Sequence, residues 1–204
     1  MIMAWDKVAE DITIERTAKA LGSKNIEVFI VKDRNEAKRK FLEIVPQGSE
    51  VYCMSSVTLE ETGILKEVEE SGRYVSVRKK VTSINEKGKR EAARKAASAC
   101  QYATGSVHAL TEDGEVLIAS QSGSQLAPYA FAATNVVWVV GAQKIVKDRD
   151  QAFQRLKEHV IPLENARAMK AYGMGTSANK ILLFDKEGTP NRVKIILVKG
   201  NLGF

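Results

Sequence analysis

Short β-rich apolar runs alternate along this chain with stretches whose apolar positions recur every three or four residues. Ile26–Val31 (IEVFIV) is a run of strand length, and a helix start follows at once. Asp33 and Glu36 stand at capping-box spacing, with Ala37, Phe41, Ile44 and Val45 as an apolar stripe behind them. Pro46–Gly48 turns the chain into a second strand, Val51–Met54. Thr58 and Glu61 repeat the capping box and open a helix that Gly72 ends. Tyr74–Val77 predicts a third strand, and Glu86–Gln101 a charged helix leading to a strand-like Ser106–Leu110. Val116–Ala119 predicts a strand, Leu126–Thr134 a helix, and Val136–Val140 the most apolar strand of all. Asp148 and Gln151 cap a further helix, with Phe153, Leu156 and Val160 read as its inner face. Ile181–Phe184 and Val193–Val198 are the last strands, on either side of a Gly188–Asn191 turn.

Ahead of these elements, Trp5, Val8 and Ile12 recur at helical spacing and Gly22 supplies a stop. The pattern predicts a helical N-terminal arm over residues 1–24 and a single domain over 25–204. Strands alternating with amphipathic helices predict an α/β fold, its mainly parallel sheet covered on both faces. Hairpins at Asp113-Gly114 and Gly188–Asn191 predict some antiparallel pairing within that sheet.

Composition narrows the class without naming a function. A chain of 204 residues, 44% hydrophobic and 27% charged, is neither a disordered segment nor a disulfide scaffold. The net charge of +6 permits an anionic partner and does not demand nucleic acid. Cys53 and Cys100 lie far apart with no C-x-x-C string. That excludes an iron–sulfur or thiol-rich zinc site in this chain, so no metal or cofactor of its own is expected. Asp6, Lys7 and Glu10 fall where a signal peptide needs apolar residues, and Pro128, Thr134, Asn135 and Gly141 interrupt the longest apolar tract. The expectation is a soluble cytoplasmic protein.

Ligands of open α/β sheets bind beyond the carboxyl ends of the strands, and two loops there carry suitable groups. Cys53–Thr58 offers Ser55, Ser56 and Thr58, with Thr58 read as the helix cap and the serines as anion-binding hydroxyls. Ser120–Gln125 offers Ser124 beside Gly123, which lets backbone approach a ligand closely. Glu112 and His108 are the candidate catalytic groups, a carboxylate and an imidazole near one strand pair. Asp113-Gly114 reads as a hairpin turn, and His159 as a surface residue. Gly173-Met174-Gly175 matches the letters of a dinucleotide fingerprint, but it follows a helix and precedes a strand, the reverse of the order that binding needs. The basic stretch Arg78–Lys95 lacks interleaved aromatics and reads as a solvated helix face rather than a nucleic-acid surface.

The strings SSVTLEETGI (Ser55–Ile64), GSVHALTEDGEVLIASQSGSQLAP (Gly105–Pro128) and VVWVVGAQKIVKDRDQAFQRL (Val136–Leu156) resemble the LUD-domain, or lactate utilisation protein C-like, family. So do PLENARAMKAYG (Pro162–Gly173), NKILLF (Asn179–Phe184) and VKIILVKGNLGF (Val193–Phe204). The order of these motifs covers nearly the whole chain. One departure is Met54, where many relatives carry glycine. The resemblance implies a three-layer α/β/α fold similar to the ribose-5-phosphate isomerase and CoA-transferase superfamily. It also implies a place in the oxidation of L-lactate to pyruvate beside iron–sulfur or flavin partner subunits. The ligand expected is a small anion, whether carboxylate, phosphate or CoA ester; a homo-oligomer is left open. The rival reading is a free-standing phosphosugar isomerase or CoA-transferase-like enzyme with Glu112 as base or nucleophile. A third is a nucleic-acid accessory using Arg78–Lys95.

Overall fold

The structure, a computed structural model, describes residues 5–204. Its centre is a six-stranded, wholly parallel sheet in the order β1-β10-β7-β4-β2-β3. The strands are β1 (Ile26–Val31), β2 (Glu50–Cys53), β3 (Val75–Ser76), β4 (Tyr102–Gly105), β7 (Asn135–Gly141) and β10 (Val193–Val198). The two innermost long strands are almost purely apolar because both of their faces are covered. Along β7, Val136, Trp138 and Val140 face one core while Val137 and Val139 face the other.

Helices α2 (Arg34–Ile44), α3 (Val57–Glu61) and α4 (Ile64–Glu70) cover one face through Phe41, Leu59, Ile64 and Val68. The other face meets α1 (Asp11–Ser23), α5 (Val77–Thr82), α6 (Lys87–Ala96) and a π-helical turn at Pro128–Ala132. It also meets a second sheet, ordered β8-β5-β6-β9, from β5 (Ala109–Thr111), β6 (Val116–Ser120), β8 (Ile145–Val146) and β9 (Lys180–Phe184). The outer face of that sheet packs on α7 (Arg149–Arg155) and the turn after it. The α/β/α layering is therefore as expected, with a small mixed sheet inserted on one side.

Among the described residues, all the antiparallel pairing lies in that second sheet. The Asp113-Gly114 turn does join an antiparallel pair, β5 and β6, with Gly114 at φ +82°. The Gly188–Asn191 turn does not make a hairpin, since β9 and β10 belong to different sheets. The expected helix after β2 is divided, because Gly63 adopts φ +69° and ends α3 before α4 begins. Two strands carried too little signal to be expected: β4, four residues with one β-branched side chain, and β8, only two residues long.

The amphipathic reading of the first helix also shifts. The inward residues of α1 are Ile14, Thr17 and Leu21, whereas Ile12 is 74% exposed. In α7 the inner positions are Ala152 and Arg155, and Phe153 is 42% exposed. From Arg149 to Tyr172 the chain stays helical, running from α7 through a π-helical turn at Leu156–Val160 into α8 (Ile161–Tyr172). Pro162 has no N–H to continue the regular bonding and its ring crowds the preceding turn, which gives the widening a local cause. No helix among the described residues is long and apolar enough to cross a membrane.

Candidate functional site

Three adjacent strands of the main sheet, β7, β4 and β2, end side by side, and the residues just beyond them form the floor of a cavity of about 630 Å³. Ser55, Ser56 and Thr58 follow β2, Ser106 and His108 follow β4, and Lys144 follows β7. Gly141, the last residue of β7, lets the C-terminal segment pack closely against it. A Cβ there would lie 2.1 Å from Gln143 Oε1 and 2.8 Å from the Leu202 amide nitrogen. Loop 120–125, after β6 of the second sheet, forms the facing wall.

Lys144 is the centre of the floor, and its residue is 1% exposed. Its Nζ donates to Ser106 Oγ at 3.1 Å, to the Val107 carbonyl at 3.2 Å and to Thr58 Oγ1 at 3.3 Å. No carboxylate among the described residues forms an ion pair with it. Glu61, the acid whose field it feels, accepts a hydrogen bond from the Gly203 amide instead. Burial lowers the Lys144 amine to about 7, and the nearby Arg155 guanidinium pushes in the same direction.

His108 stands beside it as a hydrogen-bond donor. Its Nδ1 accepts the Ala119 amide proton at 3.0 Å, so the neutral ring carries its own proton on Nε2. Burial, reinforced by Lys144 and Arg155, lowers the imidazole to about 3. It therefore stays neutral at physiological pH, and a general-base role near pH 7 does not suit it. Arg155 is fully buried behind His108, donating Nη1 to the His108 carbonyl at 2.6 Å while its Nε and Nη2 have no partner among the described residues. Burial lowers its guanidinium to about 10. His159, expected on the surface, has a side chain only 13% exposed, 3.2 Å from Asp6.

Charge around the mouth is strongly one-sided. Arg78 of α5, Lys87, Arg90 and Arg94 of α6, and Arg167 of α8 line the cavity with Lys144, against the acids Glu91 and Glu164. Arg167 and Glu164 satisfy each other through two N–H bonds at 2.7 Å each, and Arg78 stands 3.7 Å from Glu69. Among the described residues, Lys87, Arg90 and Arg94 are therefore the rim bases without an ion pair. The basic stretch expected to be a plain solvated face therefore divides. Arg78, Lys87, Arg90 and Arg94 turn to the cavity, while Lys80 and Lys89 form outward ion pairs with Glu50 and Glu86. Such a field, around hydroxyl-lined walls, suits an anion carrying further polar groups.

Of the residues singled out in the sequence, Ser55, Ser56, Thr58, Ser124 and His108 all line the cavity. Gly123 adopts φ +87° behind the lining, packed on the Lys180 side chain. Glu112 is not among the lining residues; it pairs with Arg16 of α1. The capping roles at the first loop are exchanged. Ser56 Oγ, not Thr58, accepts the capping bond, from the Leu59 amide at 3.3 Å, and Thr58 is buried as a hydrogen-bond partner of Lys144 and of the Leu202 carbonyl.

The residues that sequence reasoning missed are Lys144, Arg155 and the arginines of α5 and α6. One signal was present for Lys144, a lysine three residues beyond the most apolar strand with no acid beside it.

Comparison with known proteins agrees with this architecture. The LUD-domain family model matches residues 14–198. A crystal structure of a DUF162 family protein from Deinococcus radiodurans is similar over 94% of this chain and 99% of that one, at 7% identity and a TM-score of 0.57. Weaker likenesses are to eIF2B beta and eIF2B delta of Chaetomium thermophilum, at 14% and 12% identity and TM-scores of 0.36 and 0.38. They span 57% and 70% of this chain and 44% and 54% of those proteins. No curated protein sequence matches the chain. With the family model extending from α1 to the last strand, the chain belongs to the LUD-domain family.

Proposed function

We propose that this is a lactate-utilisation-type protein whose strand-end cavity receives a small anionic ligand, acting as a subunit or accessory in the oxidation of L-lactate to pyruvate. The observation that carries the reading is Lys144, a buried amine with no carboxylate partner among the described residues, on the floor of a cavity ringed by bases. A ligand carboxylate or phosphate supplies the missing negative charge, and the hydroxyls of Ser55, Thr58, Ser106 and Ser124 with His108 Nε2–H supply polar contacts. Cys53 and Cys100 are buried thiols raised by burial, and no cluster of three metal-ligating side chains occurs among the described residues. In this reading a flavin or iron–sulfur centre enters with a partner subunit in the cytoplasm.

The cavity volume favours a second possibility. About 630 Å³ is far more than a three-carbon acid fills and lies in the range of drug-sized ligands. A phosphosugar or CoA ester, its phosphate among Arg78, Arg90 and Arg94, uses that space, and an enzyme of this kind works without Glu112.

Thermal-shift measurements with lactate, pyruvate, phosphosugars and CoA thioesters separate the two. The right compound at a hundred times its dissociation constant adds about 2.7 kcal/mol, a rise of roughly 5–11 °C for a chain of this length. A rise with lactate or pyruvate supports the first reading, and one confined to phosphosugars or CoA esters supports the second. No rise with any of them rejects the anion site.

A further inference from the structure

We propose that Lys144 is a covalent attachment point for a small 2-oxo acid, its Nζ condensing with the ligand's keto carbon to form an imine on the cavity floor. This deepens the anion-binding reading above and rests on it.

The placement of the amine is what an imine-forming lysine requires. Nζ is withdrawn from bulk water, yet it lines a cavity large enough to admit the acid. A structural lysine in the interior is normally paired, and this one faces hydroxyls and a carbonyl instead. The acid whose field reaches it, Glu61, accepts from the Gly203 amide, and Glu164 in the cavity lining is paired with Arg167. Arg155, fully buried behind His108, adds a positive charge that opposes ammonium formation. With the amine lowered to about 7, a neutral form that gives up one of its three donated hydrogen bonds is accessible near neutral pH.

The chemistry balances within the site. The Nζ lone pair attacks the keto carbon, the C–N bond forms, and the carbonyl electron pair moves to oxygen. That oxygen takes a proton, and Nζ releases one, giving a carbinolamine. Expulsion of the oxygen as water, with loss of the second Nζ proton, gives the imine; addition of water reverses every step. Ser106 Oγ and Thr58 Oγ1, 3.1 and 3.3 Å from Nζ, are positioned to pass these protons. The ligand carboxylate is held by the positive field of Arg90 and Arg94, flanked by Arg78, which stands 3.7 Å from Glu69, and by Arg167, which is paired with Glu164. A 2-hydroxy acid has the same carboxylate and no electrophilic carbon, so it occupies the site without reacting.

The test incubates the full chain with pyruvate as probe and cyanoborohydride, then maps the reduced adduct by intact-mass and peptide mass spectrometry. The expected result is one adduct per chain on Lys144, suppressed by excess L-lactate, with exposed Lys147 labelled only at the background rate. Labelling spread evenly over surface lysines, or none at Lys144, overturns the proposal. This readout is made on the wild-type chain, so it stands even if Lys144→Arg fails to fold. A folded Lys144→Arg chain must lose the adduct, and Ser106→Ala must slow its formation. A pyruvate-induced thermal shift without adduct rejects the covalent step and leaves the anion reading intact. Absence of both rejects the covalent step and the lactate-or-pyruvate form of the reading, and leaves the phosphosugar or CoA-ester form to its own thermal shift.

Discussion

Two serine-bearing loops, each between a strand and a helix, end differently in this molecule. The loop after β2 is built into the interior. Met54 and Thr58 are buried, and Thr58, itself 1% exposed, is bonded to Lys144 on one side and to the Leu202 carbonyl on the other. The loop after β6 stays at the surface and is held by itself. Ser122 Oγ donates to Ser124 Oγ at 3.1 Å, Ser120 Oγ accepts from the Gly123 amide, and Lys180 Nζ donates to the Ser122 carbonyl. Polar side chains alone do not make a site. The first loop has a buried amine to face and lies where three strands end together, whereas the second borders the same cavity with solvent behind it.

The comparison predicts a graded series. Lys144→Met removes the only buried cation among the lining groups, so the anion-induced thermal shift is lost entirely. It also changes the pH dependence of stability. An amine lowered in the folded state and ordinary in the unfolded one binds fewer protons when folded between about pH 7 and pH 10. Its protonation therefore weakens the fold most below pH 7, and that penalty fades as pH rises through the window. Lys144→Met melts higher than wild type at pH 6 by the largest margin, and the difference narrows toward pH 10. A margin independent of pH rejects the perturbed amine.

Thr58→Val keeps the volume and deletes the hydroxyl. It leaves the Leu202 carbonyl and Lys144 each short of a partner, with an expected cost of about 1–3 kcal/mol in denaturant unfolding and most of the ligand response lost. Ser56→Ala removes the α3 cap, a loss of about 1 kcal/mol or roughly 2–4 °C that is the same with and without ligand. Ser124→Ala is the smallest change, within about 0.5 kcal/mol in stability. A larger loss of ligand response there than in Thr58→Val reverses the ranking of the two loops.

Much of the scaffold was legible from spacing. Asp33 caps α2 as expected, with Oδ1 accepting from the Asn35 and Glu36 amides, and Asp148 caps α7 through the Gln151 amide. Capping is a three-residue event, so local sequence reports it directly. The same logic failed at Thr58. Ser56 sits two positions earlier and competes for the same role, and the burial of Thr58 against a partner 86 residues away decides the outcome. Gly188–Asn191 failed for a related reason, since turn letters report a change of direction and not which sheet receives each strand.

Periodicity of two for strands and 3.6 for helices, the capping pairs, and the apolar run of Val136–Val140 made the α/β class and most of its elements readable from the chain alone, because each is settled by residues within a few positions of one another. The motif order pointed to the family for the same reason. The cavity floor was not readable. Lys144 meets Ser106 across 38 residues and Thr58 across 86, and its altered basicity comes from a burial that only the assembled strand ends impose. Glu112 and Lys144 each stand as an ordinary charged residue in the sequence. The fold ties one to Arg16 at α1 and leaves the other without a counter-charge in the interior, since desolvation and pairing are properties of the packed neighbourhood and not of the residue.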